Sequence, residues 1–201
     1  MLSYFLENKN LNLKRYIGED DSNIINSMSS ILLDSTIPTG PWTLYYHPSE
    51  GRDWTLPSFT SFGVMKSWRE FHTVIAQIEE HTLTDGMFFL MRGAIPPLWE
   101  NCANVYGGAY SISVVKDDAG HIFVEYSIAA MLNSSMADTK NVVNGLSISP
   151  KKNHRGEITH NIIKLWNTNA AKYSNPADLV KLIPGMMAED VRFTPFTEKK
   201  M

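Results

Sequence analysis

Six short strand-like runs, at 42–47, 86–91, 109–115, 142–148, 160–167 and 190–196, constrain this chain more than any other feature. Most neighbouring runs are joined by short links rich in turn residues, which favours hairpins and an antiparallel sheet. Between them lie three stretches with helical signals. Met65, Trp68, Phe71, Val74/Ile75 and Ile78 recur at three- and four-residue spacing, which predicts an amphipathic helix over 64–80. A second helix is expected over 123–134, with Phe123, Ile128, Met131 and Leu132 among its apolar residues. A third is expected to start at Ser174-Asn175-Pro176, where a capping side chain precedes a first-turn proline, and to stop before Pro184-Gly185. One sheet and three helices in this order predict an α+β layer with the helices covering a single face.

Length and charge narrow the function classes. At 201 residues the chain suits one domain with a sizeable core. Its 18 basic and 21 acidic residues leave a formal charge of −3, which argues against wrapping long nucleic acid through its phosphates. A compact site for one nucleotide with a local basic cluster remains compatible. Cys102 is the only cysteine, so neither an internal disulfide nor a cysteine-based metal site is available, and the six histidines lack metal-ligand spacing. No apolar run approaches a membrane span, and no leader-like core follows Met1, so a cytoplasmic protein is expected, with access to the nucleus left open. Residues 1–35 are polar and asparagine-rich and read as a mobile arm, within which Ile24 to Leu33 could form one amphipathic helix. The compact domain is expected over 36–201.

The chemistry concentrates in Gly93-Ala94-Ile95-Pro96-Pro97-Leu98-Trp99-Glu100. The two prolines stiffen the approach, so an indole and a carboxylate leave a rigid loop side by side. An indole can stack on a base for about 1–3 kcal/mol. A carboxylate can accept from the two N–H donors that guanine alone places together on its Watson–Crick edge. A core Trp99 with Glu100 as a solvated flank is the competing reading of the pair by itself. A further tryptophan, Trp54, sits in the turn-rich Ser49-Glu50-Gly51-Arg52-Asp53-Trp54 segment, away from any apolar periodicity. In 160–167 alternation puts Lys164 and Trp166 together on one face, opposite Ile163 and Leu165. The densest basic cluster is Lys151-Lys152-Asn153-His154-Arg155.

This order, with a tryptophan-started strand at Trp42, loop Trp54, the Trp99-Glu100 loop, then Gly107-Gly108 leading into a strand and Trp166 late in another, resembles the cap-binding eukaryotic translation initiation factor 4E family over residues 36–196. The resemblance implies a curved antiparallel sheet with about three helices on its convex back and a pocket for the 7-methylguanosine cap of messenger RNA on its concave front. It implies that Trp54 and Trp99 sandwich the methylated base, that Glu100 reads guanine, and that Trp166 lies near the N7-methyl group. Lys151, Lys152, Arg155 and Lys164 are the phosphate-binding candidates. The family's basic residue after Gly-Gly is Ala109 here, and Ile162 occupies the position of its early-strand lysine.

The resemblance further implies a partner on the convex face, a scaffold or repressor of the initiation factor 4G or 4E-binding type. A gapless match places Arg69 where the family has its first-helix tryptophan, with Trp68 one place early, and puts Glu125, Tyr126 and Ala129 in the second docking stretch. No catalytic group, metal or cofactor is expected, and the chain is expected to be a monomer. A translational repressor or a decay-linked cap binder would share this pocket. A cap or dinucleoside hydrolase using Glu100 is the reading from another class, and a scaffold with a vestigial pocket is a third.

Overall fold

A computed structural model describes residues 32–197 of the chain. Its sheet has seven strands: β1 (Trp42–His47), β2 (Thr60–Met65), β3 (Met87–Arg92), β4 (Gly108–Val115), β5 (Val143–Lys152), β6 (Ile158–Asn167) and β7 (Val191–Pro195). They lie in the spatial order β2-β1-β3-β5-β6-β4-β7, and every neighbouring pair is antiparallel. Among the described residues, helices α1 (Trp68–Ala76), α2 (Glu80–Asp85) and α3 (Lys116–Met131) accompany them. The single α+β layer expected from the strand pattern, with the curvature that the resemblance implies, is the fold observed.

Two adjacent rows of side chains across the sheet show how one chain makes two unlike faces. Register aligns Leu44, Leu90, Leu146, Leu165, Tyr110 and Phe193 from β1 to β7. The first five are fully buried and join Phe123, Tyr126 and Met131 of α3 in the main core. One residue along each strand the side chains point the other way. There the row reads Tyr45, Phe89, Ser147, Lys164, Ser111 and Arg192, a polar and aromatic surface on the concave face. A one-residue slip would exchange these faces, so burial of the leucine row fixes the position of Lys164.

The helices depart from the periodicity reading in three places. The stretch 64–80 divides, because Gly63-Val64-Met65 ends strand β2, whose residues before Met65 are exposed and so give no alternation signal. Helix α1 then starts at a capping box in which Ser67 accepts from the Glu70 backbone N–H and the Glu70 carboxylate accepts from the Ser67 N–H. Helix α3 begins at Lys116 rather than 123. Asp117 and Asp118 in its first turn favour that start through the helix dipole, and Ala119, Ile122, Phe123, Tyr126 and Ala130 form its buried stripe. The third expected helix is only a 3-10 turn, Pro176–Asp178. Asn175 caps it as expected, accepting from Ala177 N–H at 3.0 Å. The chain then runs extended, because Leu179 is buried and pairs with Met136, while Val180 N–H donates to Ser135 O at 3.0 Å. Tertiary backbone pairing has replaced helix propagation there. The expected arm falls mostly on residues outside those described.

Candidate functional site

Trp54 is held from behind. The chain leaves β1 at His47, which is buried. Its imidazole stacks on the Trp54 indole with ring centres 4.2 Å apart and planes 10° from parallel. The imidazole nitrogens lie 2.9 Å from Pro48 O and 2.6 Å from Asp53 O, so one ring spans the loop that carries Trp54. A Cβ on Gly51 would come within 2.5 Å of the His47 ring, so glycine is required where the loop folds over it. Asp53 Oδ1 accepts from Thr55 N–H at 2.9 Å, which holds this carboxyl below its usual range. Phe59 packs edge-on against Trp54 and against Phe89, tying the loop to the sheet.

Trp99 and Glu100 leave the long connection between β3 and β4. That connection is anchored by Asn104, a fully buried side chain that donates to Leu98 O at 2.8 Å and accepts from Asn144 of β5 at 3.1 Å. Asn144 also donates to Ala103 O at 2.7 Å. The loop closes on Gly107-Gly108. A Cβ at Gly107 would lie 1.8 Å from Asn167 O, and one at Gly108 would lie 2.4 Å from the Phe193 ring, so both positions admit no side chain. Close packing against the Asn167 backbone at Gly107 and against the Phe193 ring at Gly108 explains the glycine pair.

The floor between the two loops is β5 and β6. Trp166 is buried, donates from Nε1 to Ser147 Oγ at 3.2 Å, and meets Phe89 and Phe196 edge-on. Two residues back on the same face, Lys164 is largely buried with no carboxylate partner among the described residues, and desolvation lowers its ammonium below the ordinary lysine range. A cation in this state gains most from an incoming anion. Trp54, Trp99, Glu100, Lys164 and Trp166 together border one cavity of about 390 Å³, a volume suited to a small ligand.

The other basic candidates do not line this cavity. Lys151 opposes His160 and shares the concave face with Ser147 and Ser149, farther along the hairpin. A register shift follows it, and Lys152 turns to the Glu50 carboxylate of the Trp54 loop. Arg155 sits in the turn between Asn153 and Gly156. The sequence pattern also left out His47, Asn104, Asn144 and Ser147, the residues that hold the indoles in place. By alternation His47 shares the concave face with Tyr45, two residues back, which is the one legible hint among them.

On the convex side two of the docking candidates, Tyr126 and Ala129, need correction. Tyr126 is fully buried, with its hydroxyl donating to Val180 O at 3.0 Å and its phenol pushed up to about 12 by burial. Ala129 is buried as well, because both lie on the stripe of α3 that faces the sheet. Trp68 packs partly buried against the core, Arg69 pairs with Asp34, and Glu125 with His121. The groove that does open there is bordered by Phe71, His72, Ile75, Leu83, Gly120 and Val124. Among the described residues, no group of three His, Cys, Asp or Glu side chains is placed to hold a metal ion, and no helix is long and apolar enough to cross a membrane.

An open antiparallel sheet, backed by helices and holding an aromatic-walled small-ligand pocket on its concave side, defines the class. The eukaryotic initiation factor 4E family model matches residues 39–193, and the chain belongs to that family. A eukaryotic translation initiation factor 4E homolog from Acanthamoeba polyphaga mimivirus is 31% identical over 65 residues, a stretch covering 31% of this chain and 24% of that relative. Among solved structures, Ascaris suum eIF4E-3 in complex with the m7G cap has a TM-score of 0.58 at 18% identity, covering 69% of this chain and 76% of that one. C. elegans eIF4E-3 in complex with the 4E-binding protein Mextli has a TM-score of 0.57 at 15% identity, covering 68% and 77% of the two chains.

Proposed function

We propose that this chain binds the 7-methylguanosine 5′ cap of messenger RNA and acts in translation initiation or its regulation. One observation carries the reading: two half-exposed indoles, Trp54 and Trp99, come from separate loops to border a single cavity that also holds Glu100, Lys164 and Trp166. The chemistry suits the ligand. N7-methylation gives guanine a delocalised positive charge, so each indole adds cation–π attraction to stacking. Glu100 accepts from the N1–H and the exocyclic amine, and the same positive charge strengthens those bonds. Lys164 meets the phosphates, and Lys151, on the same face of the hairpin, continues the cationic path away from the base. The chain is read as a binder rather than an enzyme, a monomer whose partner on the convex groove is a scaffold or repressor of the 4G or 4E-binding type. The complexes of the Ascaris suum relative with the m7G cap and of the C. elegans relative with the 4E-binding protein Mextli support the cap and protein-partner readings.

Tryptophan fluorescence tests the reading. Titration with 7-methyl-GTP should quench emission to saturation, with GTP binding more weakly. Glu100→Ala should cost about 1.5–3 kcal/mol of affinity and narrow the preference for guanine over adenine. A wild-type protein whose emission and binding ignore 7-methyl-GTP sinks the proposal.

A further inference from the structure

His47 is the ring behind Trp54, and both of its nitrogens meet acceptors. Nδ1 lies 2.9 Å from Pro48 O, and Nε2 lies 2.6 Å from Asp53 O. A backbone carbonyl oxygen accepts and never donates. A neutral imidazole has one N–H and one lone pair, so it bonds to one carbonyl and turns its lone pair on the other. The doubly protonated ring donates to both. The Nε2 contact is also shorter than an ordinary N–H···O bond, as bonds from a charged donor are. The ring is buried, and a charge taken out of water needs compensation. Here the Trp54 indole lies flat over it with ring centres 4.2 Å apart, and the Phe59 ring centre is 4.8 Å away. Aromatic faces attract a cation. The charged side chains of the loop over 48–54 are Glu50, Arg52 and Asp53. Glu50 is taken by Lys152, and Arg52 is exposed. The Asp53 carboxyl is lowered first by the Thr55 N–H and further by the positive charge of His47. Across the sheet, the β3 partner of His47 is the uncharged Met87.

We infer that His47 is held as the imidazolium, and that its charge behind Trp54 moderates the preference of the site for a cationic base over a neutral one. The inference rests on the cap reading above. An indole presents two negative faces of one π system. A cation on one face draws electron density toward itself and repels a second cation on the other face, about 9 Å away once a stacking distance is added. 7-Methylguanine is that second cation, whereas guanine is neutral and loses nothing. His47 therefore does two things through Trp54. It fastens the loop through two charge-assisted bonds, which serves any stacked base alike, and it sets the size of the methylation preference without touching the ligand.

Two measurements on the full chain at neutral pH test this. Nitrogen NMR of the histidine rings, with the His47 signals assigned by their loss in His47→Gln, should show both His47 ring nitrogens protonated, where a free imidazole is mostly neutral. One unprotonated nitrogen overturns the inference. The second measurement compares 7-methyl-GTP with GTP. The two ligands share the stacking surface, the loop and the phosphates, so the ratio of their affinities isolates the charge of the base. His47→Phe keeps an uncharged ring behind Trp54, and His47→Gln keeps one N–H donor without the charge, so the second decides the matter if the first does not fold. In each the ratio should rise on the order of fivefold, as Coulomb's law gives across about 9 Å at a dielectric between those of a protein surface and water. An unchanged or lowered ratio overturns the selectivity role and leaves the cap reading standing. Failure of the wild type to bind 7-methyl-GTP rejects the cap reading, and the nitrogen spectrum still decides the protonation of His47.

Discussion

Trp54 and Trp99 are equally exposed, at 47% and 46%, yet the protein holds them in opposite ways. Trp54 lies on the His47 imidazole, with Phe59 at its edge, so one face is already covered and the orientation of the other is set before any ligand arrives. Trp99 has no aromatic backing among the described residues; it is positioned through its main chain, by Asn104 beneath the loop. One wall of the pocket is built by side-chain stacking and the other by loop anchoring. Preformed geometry lowers the ordering cost of binding, so Trp54 supplies a fixed platform against which Trp99 completes the site.

Removing each wall separates the two modes. Trp54→Ala and Trp99→Ala should each lose one stacking face, about 3 kcal/mol of cap affinity once the cation–π part is included. Thermal unfolding should divide them. Trp54→Ala uncovers His47 and Phe59 and should lower the Tm, whereas Trp99→Ala should leave it unchanged. Equal Tm losses would break the distinction between a packed wall and an anchored one.

Lys164 comes next in size, because it lies between the walls and belongs to neither. Lys164→Met should cost about 1.5 kcal/mol of affinity for 7-methyl-GTP while leaving the nucleoside's affinity intact. The pH dependence carries a definite sign. Burial depresses the Lys164 pKa, so the unfolded chain holds this proton to higher pH than the folded one does. The stability penalty is therefore full below the lowered folded value and is relieved as pH rises toward the unfolded value near 10.5. Phosphate binding should oppose that proton loss, and the phosphate-dependent part of the affinity should fade as pH rises through the lowered value. Titrations of nucleoside and triphosphate at neutral and alkaline pH check this.

How legible the pocket was depends on the kind of residue involved. Trp54 and Trp99 stood out as large apolar side chains in turn-rich loops away from any apolar periodicity, Glu100 through its place beside Trp99, and alternation alone paired Lys164 with Trp166. The strands were legible where one face is buried, as with Leu146, Ile148, Ile163 and Leu165. They were not legible in β2, exposed on both faces, nor was the strap around Leu179, where pairing with Met136 overrode a good helix start. Carry-over by gapless matching failed on α3. The step from a surface position to a buried one is a single residue there, and Tyr126 fell on the inner side. Nothing local marks Asn104 or Asn144, since their partners are backbone carbonyls and each other across 40 residues of sequence.

The two anchors themselves offer the finest test of the comparison. Asn104→Ala removes a buried donor from Leu98 O and leaves the Asn144 amide with one acceptor fewer, which should cost about 1 kcal/mol of stability. Affinity for the cap should fall with it, by less than the loss of the Trp99 indole, because the loop still closes on Gly107-Gly108. The Trp54 loop has a tether of its own in the Glu50–Lys152 ion pair, but that pair is exposed on the surface and screened by water. The His47 stack already fixes the indole, so Glu50→Ala should change neither the Tm nor the affinity measurably, at low salt or high. A clear loss of cap binding in Glu50→Ala would show that Trp54 too is held through its main chain, and that the two walls are built alike.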